Sequence, residues 1–250
     1  MITRNLLIFG FFIIALILAQ FANAQTVDEI IDKYIGARGG KDKLKAIRSI
    51  YMEGSRQMMG NEVAVKITKV QGKLSRTEFE MGGTNGFFLI TDKTAWNYFP
   101  MRSPKPEPVP EDRLKTLRGE LDIAGPLVDY TLKGHKAELI GKEDVEGIPC
   151  YKIKVTLSNG TESNYFIDTK SYLLNRITHN GGLFGGNRGK GDAEISTDYS
   201  DYKEVEGILF AHTLTIRPSS GSANSQAAGG TTFDKIELNK PVDEKLYKPE

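Results

Sequence analysis

The feature that most constrains this chain is a series of twelve strand-like runs between residues 49 and 238, most of them bounded by Gly, Asn or Asp. They cover residues 49–58, 62–70, 73–81, 87–91, 94–99, 136–144, 148–157, 162–168, 172–180, 192–203, 208–217 and 230–238. Val63, Val65 and Ile67 fall on one face, as do Tyr151, Ile153, Val155 and Leu157, with Lys152, Lys154 and Thr156 opposite them. A period of two with short connections reads as a meander of antiparallel hairpins, one face buried and the other often polar.

Helical spacing occurs in three places. Val27, Ile30, Ile31, Tyr34 and Ile35 repeat at i, i+3, i+4 behind Asp28 and Glu29, which predicts an amphipathic helix over 27–37 stopped by Gly39-Gly40. A second short helix is expected over 42–47. Between the fifth and sixth strands, five of the ten prolines (Pro100, Pro104, Pro106, Pro108 and Pro110) make an extended, stiff arm. Behind it Leu114, Leu117, Leu121 and Ile123 repeat at roughly helical spacing until Gly125-Pro126, so an arm and a helix are inserted into the sheet. In an up-and-down meander, the insertion, the 181–191 loop and the 218–229 loop follow odd-numbered strands and depart from one end. The tight turns Gln71-Gly72, Asp92-Lys93, Glu146-Gly147 and Glu206-Gly207 lie at the other, and the irregular end is expected to be the mouth of a curved sheet.

The first 24 residues have the three parts of a secretory signal: Arg4, an apolar run over 6–18 broken by Gly10, and Ala22-Asn23-Ala24 ahead of Gln25. Gln25 stands where a lipoprotein would carry its acylated cysteine. The expected organisation is therefore a signal over 1–24 and one soluble domain over 25–250, outside the cytoplasm. Without Arg4, 32 basic and 32 acidic side chains remain, so there is no basic footprint for nucleic acid. The one cysteine, Cys150, excludes a disulfide scaffold and a cysteine-built zinc site, and in a strand-like run it reads as a small packing residue.

No motif supplies catalysis. The glycine cluster over 181–191 lacks phosphate-loop spacing and joins two strands, so it reads as a hairpin loop. His135, His179 and His212 lie far apart without a ligand pair, and Asp198 and Asp201 point to opposite faces of a strand. Asn159-Gly160-Thr161 fits a glycosylation pattern but reads as an Asn-Gly turn. No metal, no cofactor and no enzymatic activity is expected. Trp96 and Tyr98 share one strand face, and Phe87 and Phe88 take both faces of another. Such aromatics either pack the core beneath the first helix or line a cavity for an apolar ligand.

Residues 39–50, Thr94-Ala95-Trp96-Asn97-Tyr98, Lys133-Gly134-His135-Lys136, residues 141–147 and residues 201–208 resemble the outer-membrane lipoprotein-sorting proteins, a family similar to the LolA/LolB lipoprotein carriers. The likeness runs from about Val27 to Leu238. It implies a mainly β, strongly curved antiparallel half-barrel with an N-terminal helix and an inserted arm and lid helix. It also implies a periplasmic carrier or binder of lipid or lipoprotein acyl chains, with inner- and outer-membrane transport proteins as partners. On that resemblance Phe88, Trp96, Tyr98, Leu114, Leu117 and Leu121 are the cavity and lid candidates, and Arg56 is the candidate for the arginine that holds the lid. A sensor or protein-interaction module on the same half-barrel is the alternative.

Overall fold

Thr26 opens the first helix with a capping box: its hydroxyl accepts from the Glu29 amide, and the Glu29 carboxylate accepts from the Thr26 amide. Helix α1 (Val27–Ala37) buries Ile30, Ile31, Tyr34 and Ile35, the face its periodicity predicts. Helix α2 (Lys41–Ala46) follows at once and buries Leu44. The computed structural model describes residues 25–58, 60–180, 194–218 and 229–250. The expected signal, the 181–191 loop and residues 219–228 of the last loop lie outside the described residues.

Thirteen strands make one antiparallel sheet. They are β1 (Ser49–Met58), β2 (Asn61–Val70), β3 (Leu74–Met81), β4 (Thr84–Thr91), β5 (Ala95–Tyr98), β6 (Glu107–Pro108), β7 (Lys136–Val145), β8 (Ile148–Thr156), β9 (Glu162–Asp168), β10 (Leu174–Asn180), β11 (Glu194–Val205), β12 (Ile208–Pro218) and β13 (Gly230–Leu238). The order is β6-β5-β4-β3-β2-β1-β13-β12-β11-β10-β9-β8-β7, two meanders joined where β1 meets β13. The sheet is open and strongly curved, and its concave side holds α1 and the main core, with Ile30, Ile153 and Ile167 fully buried. Burial of β2 alternates through Val63, Val65 and Ile67 as its sequence requires.

Strand ends confirm the parity argument for the sheet: Asn180 pairs with Glu194, Ile195 with Pro218 and Thr215 with Gly230, all at one end. The insertion leaves β5 at Tyr98, the end expected of it, and Lys115 of its helix meets the Asn159 turn at that end, but the two flanks of the helix return to the tight turns. β6, which the proline-rich arm was not expected to contain, pairs Pro108 with Trp96 along the edge of β5. Proline is tolerated there because an edge strand has one unpaired side. That pairing turns the chain back, and the segment that carries helix α3 (Glu111–Leu117) is tied near the tight turns before and after the helix, by the bonds Val109 N to Ala95 O (2.8 Å) and Gly72 N to Leu121 O (2.9 Å). The helix is also shorter than its leucine spacing suggests. It tightens into a 3-10 turn over Arg118–Leu121 that contains Gly119, a poor helix former.

A second cluster covers the convex side. Leu74, Phe87 and Leu89 are buried there beneath Val242, Leu246 and Tyr247, the last two on a C-terminal 3-10 turn (Glu244–Tyr247). Arg76 pins that segment: its guanidinium lies 4.3 Å over the Phe87 ring and donates to the Lys248 carbonyl at 2.8 Å.

Candidate functional site

A cavity of about 420 Å³ lies between the concave sheet, α1 and α3. Its wall is apolar along the middle, where Met52, Phe88, Ile90, Leu214, Ile216 and Phe233 point inward from β1, β4, β12 and β13. Apart from Phe233, these side chains are only half-buried although they face the interior. Apolar surface left uncovered inside a fold is surface for a ligand to cover.

Polar groups occupy defined places around that wall. At the end nearest α1, Arg38 donates to the Tyr34 hydroxyl (3.2 Å) and the Leu209 carbonyl (3.5 Å) and sits against the Phe210 ring. Burial works against its charge, yet Tyr34, Tyr202 and Tyr199 together outweigh this and the guanidinium is held above its ordinary value. Tyr199 and Tyr202 are pushed upward by burial, and the Tyr202 hydroxyl donates to Leu174 O at 2.7 Å. At the roof, Lys69 Nζ contacts both the Glu120 carboxylate and its main-chain carbonyl at 3.1 Å. Lys69 holds the Glu120 carboxyl below the usual carboxylate range. Glu120 is enclosed by protein yet its side chain is 61% exposed, as expected of a group facing a wet cavity.

The roof hangs from one wing of the sheet. Gln71 ties its base, donating to Asp122 (3.2 Å) and accepting from the Ile123 amide (2.7 Å), while Lys133 pairs with Asp122 at 2.5 Å. Its contact with the other wing runs through Asn159, which donates to the Lys115 carbonyl at 3.5 Å.

A LolA superfamily protein from Nitrosomonas europaea matches 90% of this chain over 99% of its own length, with a TM-score of 0.55 at 12% identity. A DUF1329 family protein from Desulfovibrio piger matches 90% over 98% of its length (TM-score 0.55, 14% identity). An outer membrane lipoprotein-sorting protein domain from Vibrio parahaemolyticus matches 88% over 95% (TM-score 0.55, 11% identity). The fold is LolA-like. At these identities the likeness is one of fold; no family model and no curated protein matches the sequence.

Within the LolA-like frame the candidate residues separate. Phe88 and Leu117 line the cavity, and Leu114 and Leu121 are buried on the roof segment without lining it. Trp96 and Tyr98 face away: they pair with Leu89 and Phe87 and pack in the convex cluster, so they line no part of the cavity. Strand alternation told which residues share a face, but the C-terminal segment decides which is outside here, because Val242, Leu246 and Tyr247 cover the face that holds Trp96 and Tyr98. Arg56 lines the cavity, but its Nε donates to Thr231 Oγ1 of β13 at 2.8 Å, so it holds the sheet and not the roof. Lys69 makes the roof contact instead. Its signal was in the sequence, because it is the next position on the face of Val63, Val65 and Ile67, a charge on an otherwise apolar face.

The other singled-out residues have local roles. His135 Nδ1 accepts from the Ser158 amide (3.0 Å), and the Asn159 side chain closes its turn on Thr161 N (3.0 Å). Cys150 is fully buried, and burial pushes its thiol up to about 11. Asp198 pairs with Arg176 and Arg217, and Asp201 with Lys203. No helix among the described residues is long and apolar enough to cross a membrane.

Proposed function

We propose that this protein binds the acyl chain of a lipid or lipoprotein in the concave cavity and carries it across the periplasm. The observation that carries this reading is the inward-facing, half-covered apolar wall of Phe88, Leu214 and Ile216 in a cavity of about 420 Å³. A long acyl chain laid on such a wall contributes roughly 10 kcal/mol gross, at about 0.8 kcal/mol per buried CH₂, before the costs of roof opening and chain ordering. The surplus is small enough for release to a better site. Binding of this kind needs no reaction, and the protein acts without catalysis. The signal pattern of residues 1–24 supports export.

Native mass spectrometry with lipid extraction, on protein purified from the periplasm without detergent, tests the reading. Co-purified lipid or lipoprotein that is lost in a folded Leu117→Asp variant is the expected result. An apo mass that stays unshifted when lipids are offered would overturn it and turn attention to a protein-interaction role.

A further inference from the structure

Two groups of arginines in this fold contrast. Arg76, Arg176 and Arg217 each pair with a carboxylate, Glu78 for the first and Asp198 for the other two. Arg56 and Arg38 line the cavity, and neither makes an ion pair with a carboxylate among the described residues. Arg38 is provided for by Tyr34, the Leu209 carbonyl and a ring on either side. Among the described residues Arg56 makes one bond, through Nε to Thr231, and a guanidinium has five N–H donors. The remaining ionisable pair on the wall, Lys69 and Glu120, cancels, so the cavity holds two positive charges in a chain whose total charge is nearly balanced.

Position matters as much as charge. Arg38 is bonded at Leu209 and Arg56 at Thr231, whose partner on β12 is Leu214. Five residues of strand separate the two levels, about 17 Å at roughly 3.3 Å per residue. Between them lie Phe210, Ala211 and Phe233. Arg56 therefore stands at one end of an apolar trough, next to the strand ends and away from α1.

We propose that Arg56 anchors the anionic head group, a carboxylate or a phosphate, of the amphiphile whose chain fills the cavity. The inference rests on the acyl-binding reading and adds a charge to its ligand. A guanidinium fork matches either oxyanion with paired hydrogen bonds, and Thr231, 1% exposed, fixes the Nε edge so that the rest of the fork faces the cavity. Burial pushes the Arg56 guanidinium below its ordinary value and no acidic group among the described residues offsets this, an electrostatic cost that a bound anion would relieve.

The test is isothermal titration of the mature protein with three probes of equal chain length, dodecyl phosphate, dodecanoate and dodecanol, and with inorganic phosphate alone. Both anionic amphiphiles are expected to bind at least tenfold tighter than the alcohol. Arg56→Gln should bring them to the alcohol's affinity while leaving the alcohol unchanged, and Arg56→Lys should keep part of the preference. Thr231→Val, which frees the fork while keeping its charge, is expected to weaken the anions several-fold. Equal binding of alcohol and anions by the unaltered protein would overturn the inference while leaving acyl binding intact, and so would an equal loss for all three in folded Arg56→Gln. Phosphate alone binding as tightly as dodecyl phosphate would replace the amphiphile by a free anion and overturn the inference. Binding of none of the probes would overturn the acyl-binding reading itself. If Arg56→Gln does not fold, the comparison of probes on the unaltered protein and on Thr231→Val decides.

Discussion

Replacing Lys69 by methionine should loosen the roof of the cavity without damaging the sheet. Lys69 keeps its stem along β2, and methionine reproduces that stem while removing the ammonium. Two contacts go: the pair with the Glu120 carboxylate and the bond to its carbonyl, both at 3.1 Å. The first is weak, because the Glu120 side chain is 61% exposed and screened, and is worth about 0.5 kcal/mol. The second adds about 1 kcal/mol. Glu120, left alone, stays wet and pays no large burial penalty. Together about 1.5 kcal/mol shifts roof opening roughly tenfold, and where an acyl chain enters only through the open form its association rate rises by the same factor. Glu120→Gln removes only the screened part, so about a twofold rise is expected, lost in 1 M salt. Stopped-flow mixing with a fluorescent fatty acid measures both. Lys69 holds the Glu120 carboxyl low, so the pair is intact above the ordinary carboxylate range and lost only as pH falls through that depressed value. The rate of the unaltered protein should therefore be flat from pH 8 to 5. An unchanged rate in Lys69→Met, or equal rises in the two variants, would refute the assignment of Lys69 as the roof holder.

Trp96→Ala should lower the melting temperature by about 5 °C through the convex cluster and leave dodecanoate affinity unchanged, whereas Phe88→Asp should cost at least tenfold in affinity; titration and thermal melts on both variants separate the two faces. Arg76→Ala removes the stack on Phe87 and the bonds to the Leu246 and Lys248 carbonyls, so a loss of about 3 kcal/mol is expected in urea unfolding, with new proteolytic cleavage in residues 240–250. Cys150, fully buried with its thiol pushed up to about 11, should not react with a thiol reagent at pH 8 until the protein is unfolded, which a colorimetric titration in and out of denaturant reads directly.

Local signals carried the elements well, and failed where distant segments decide. The Thr26 to Glu29 spacing and the apolar positions of α1 are chemistry within one turn, and the helix falls on its expected residues. Alternation in β2 and β8 likewise gave true faces. It gave no inside and outside for β5, because Val242, Leu246 and Tyr247, more than 140 residues away, cover the face that holds Trp96 and Tyr98. The proline arm was legible as a stiff edge but not as a turn of direction, since one two-residue pairing, Pro108 with Trp96 and Glu107 with Asn97, sets where α3 lands. The cavity escaped detection for a related reason: β1, β4, β12 and β13 each contribute only one or two of its apolar wall residues, so no single run marks it.

The cavity and the break in the sheet beside it have one origin. β1 shifts register at Glu53/Gly54, where any Cβ on Gly54 would run into the Thr232 carbonyl, so only glycine lets β1 and β13 approach this closely. On the other side of β13, the ladder to β12 extends only over Thr213–Thr215. Below it the bonds are made differently. The Phe233 carbonyl is met by His212 Nδ1 at 2.7 Å, which must carry the proton because a carbonyl only accepts, and Leu209 N goes to the Arg38 carbonyl at 2.9 Å. A side chain and the end of α1 thus stand where strand would meet strand. This satisfies the buried backbone while leaving β12 and β13 splayed, at the small cost of a His212 Nε2 without a partner among the described residues. Phe210 and Phe233 lie beyond that short ladder and Leu214 at its centre. Splayed, they line the trough between Arg38 and Arg56.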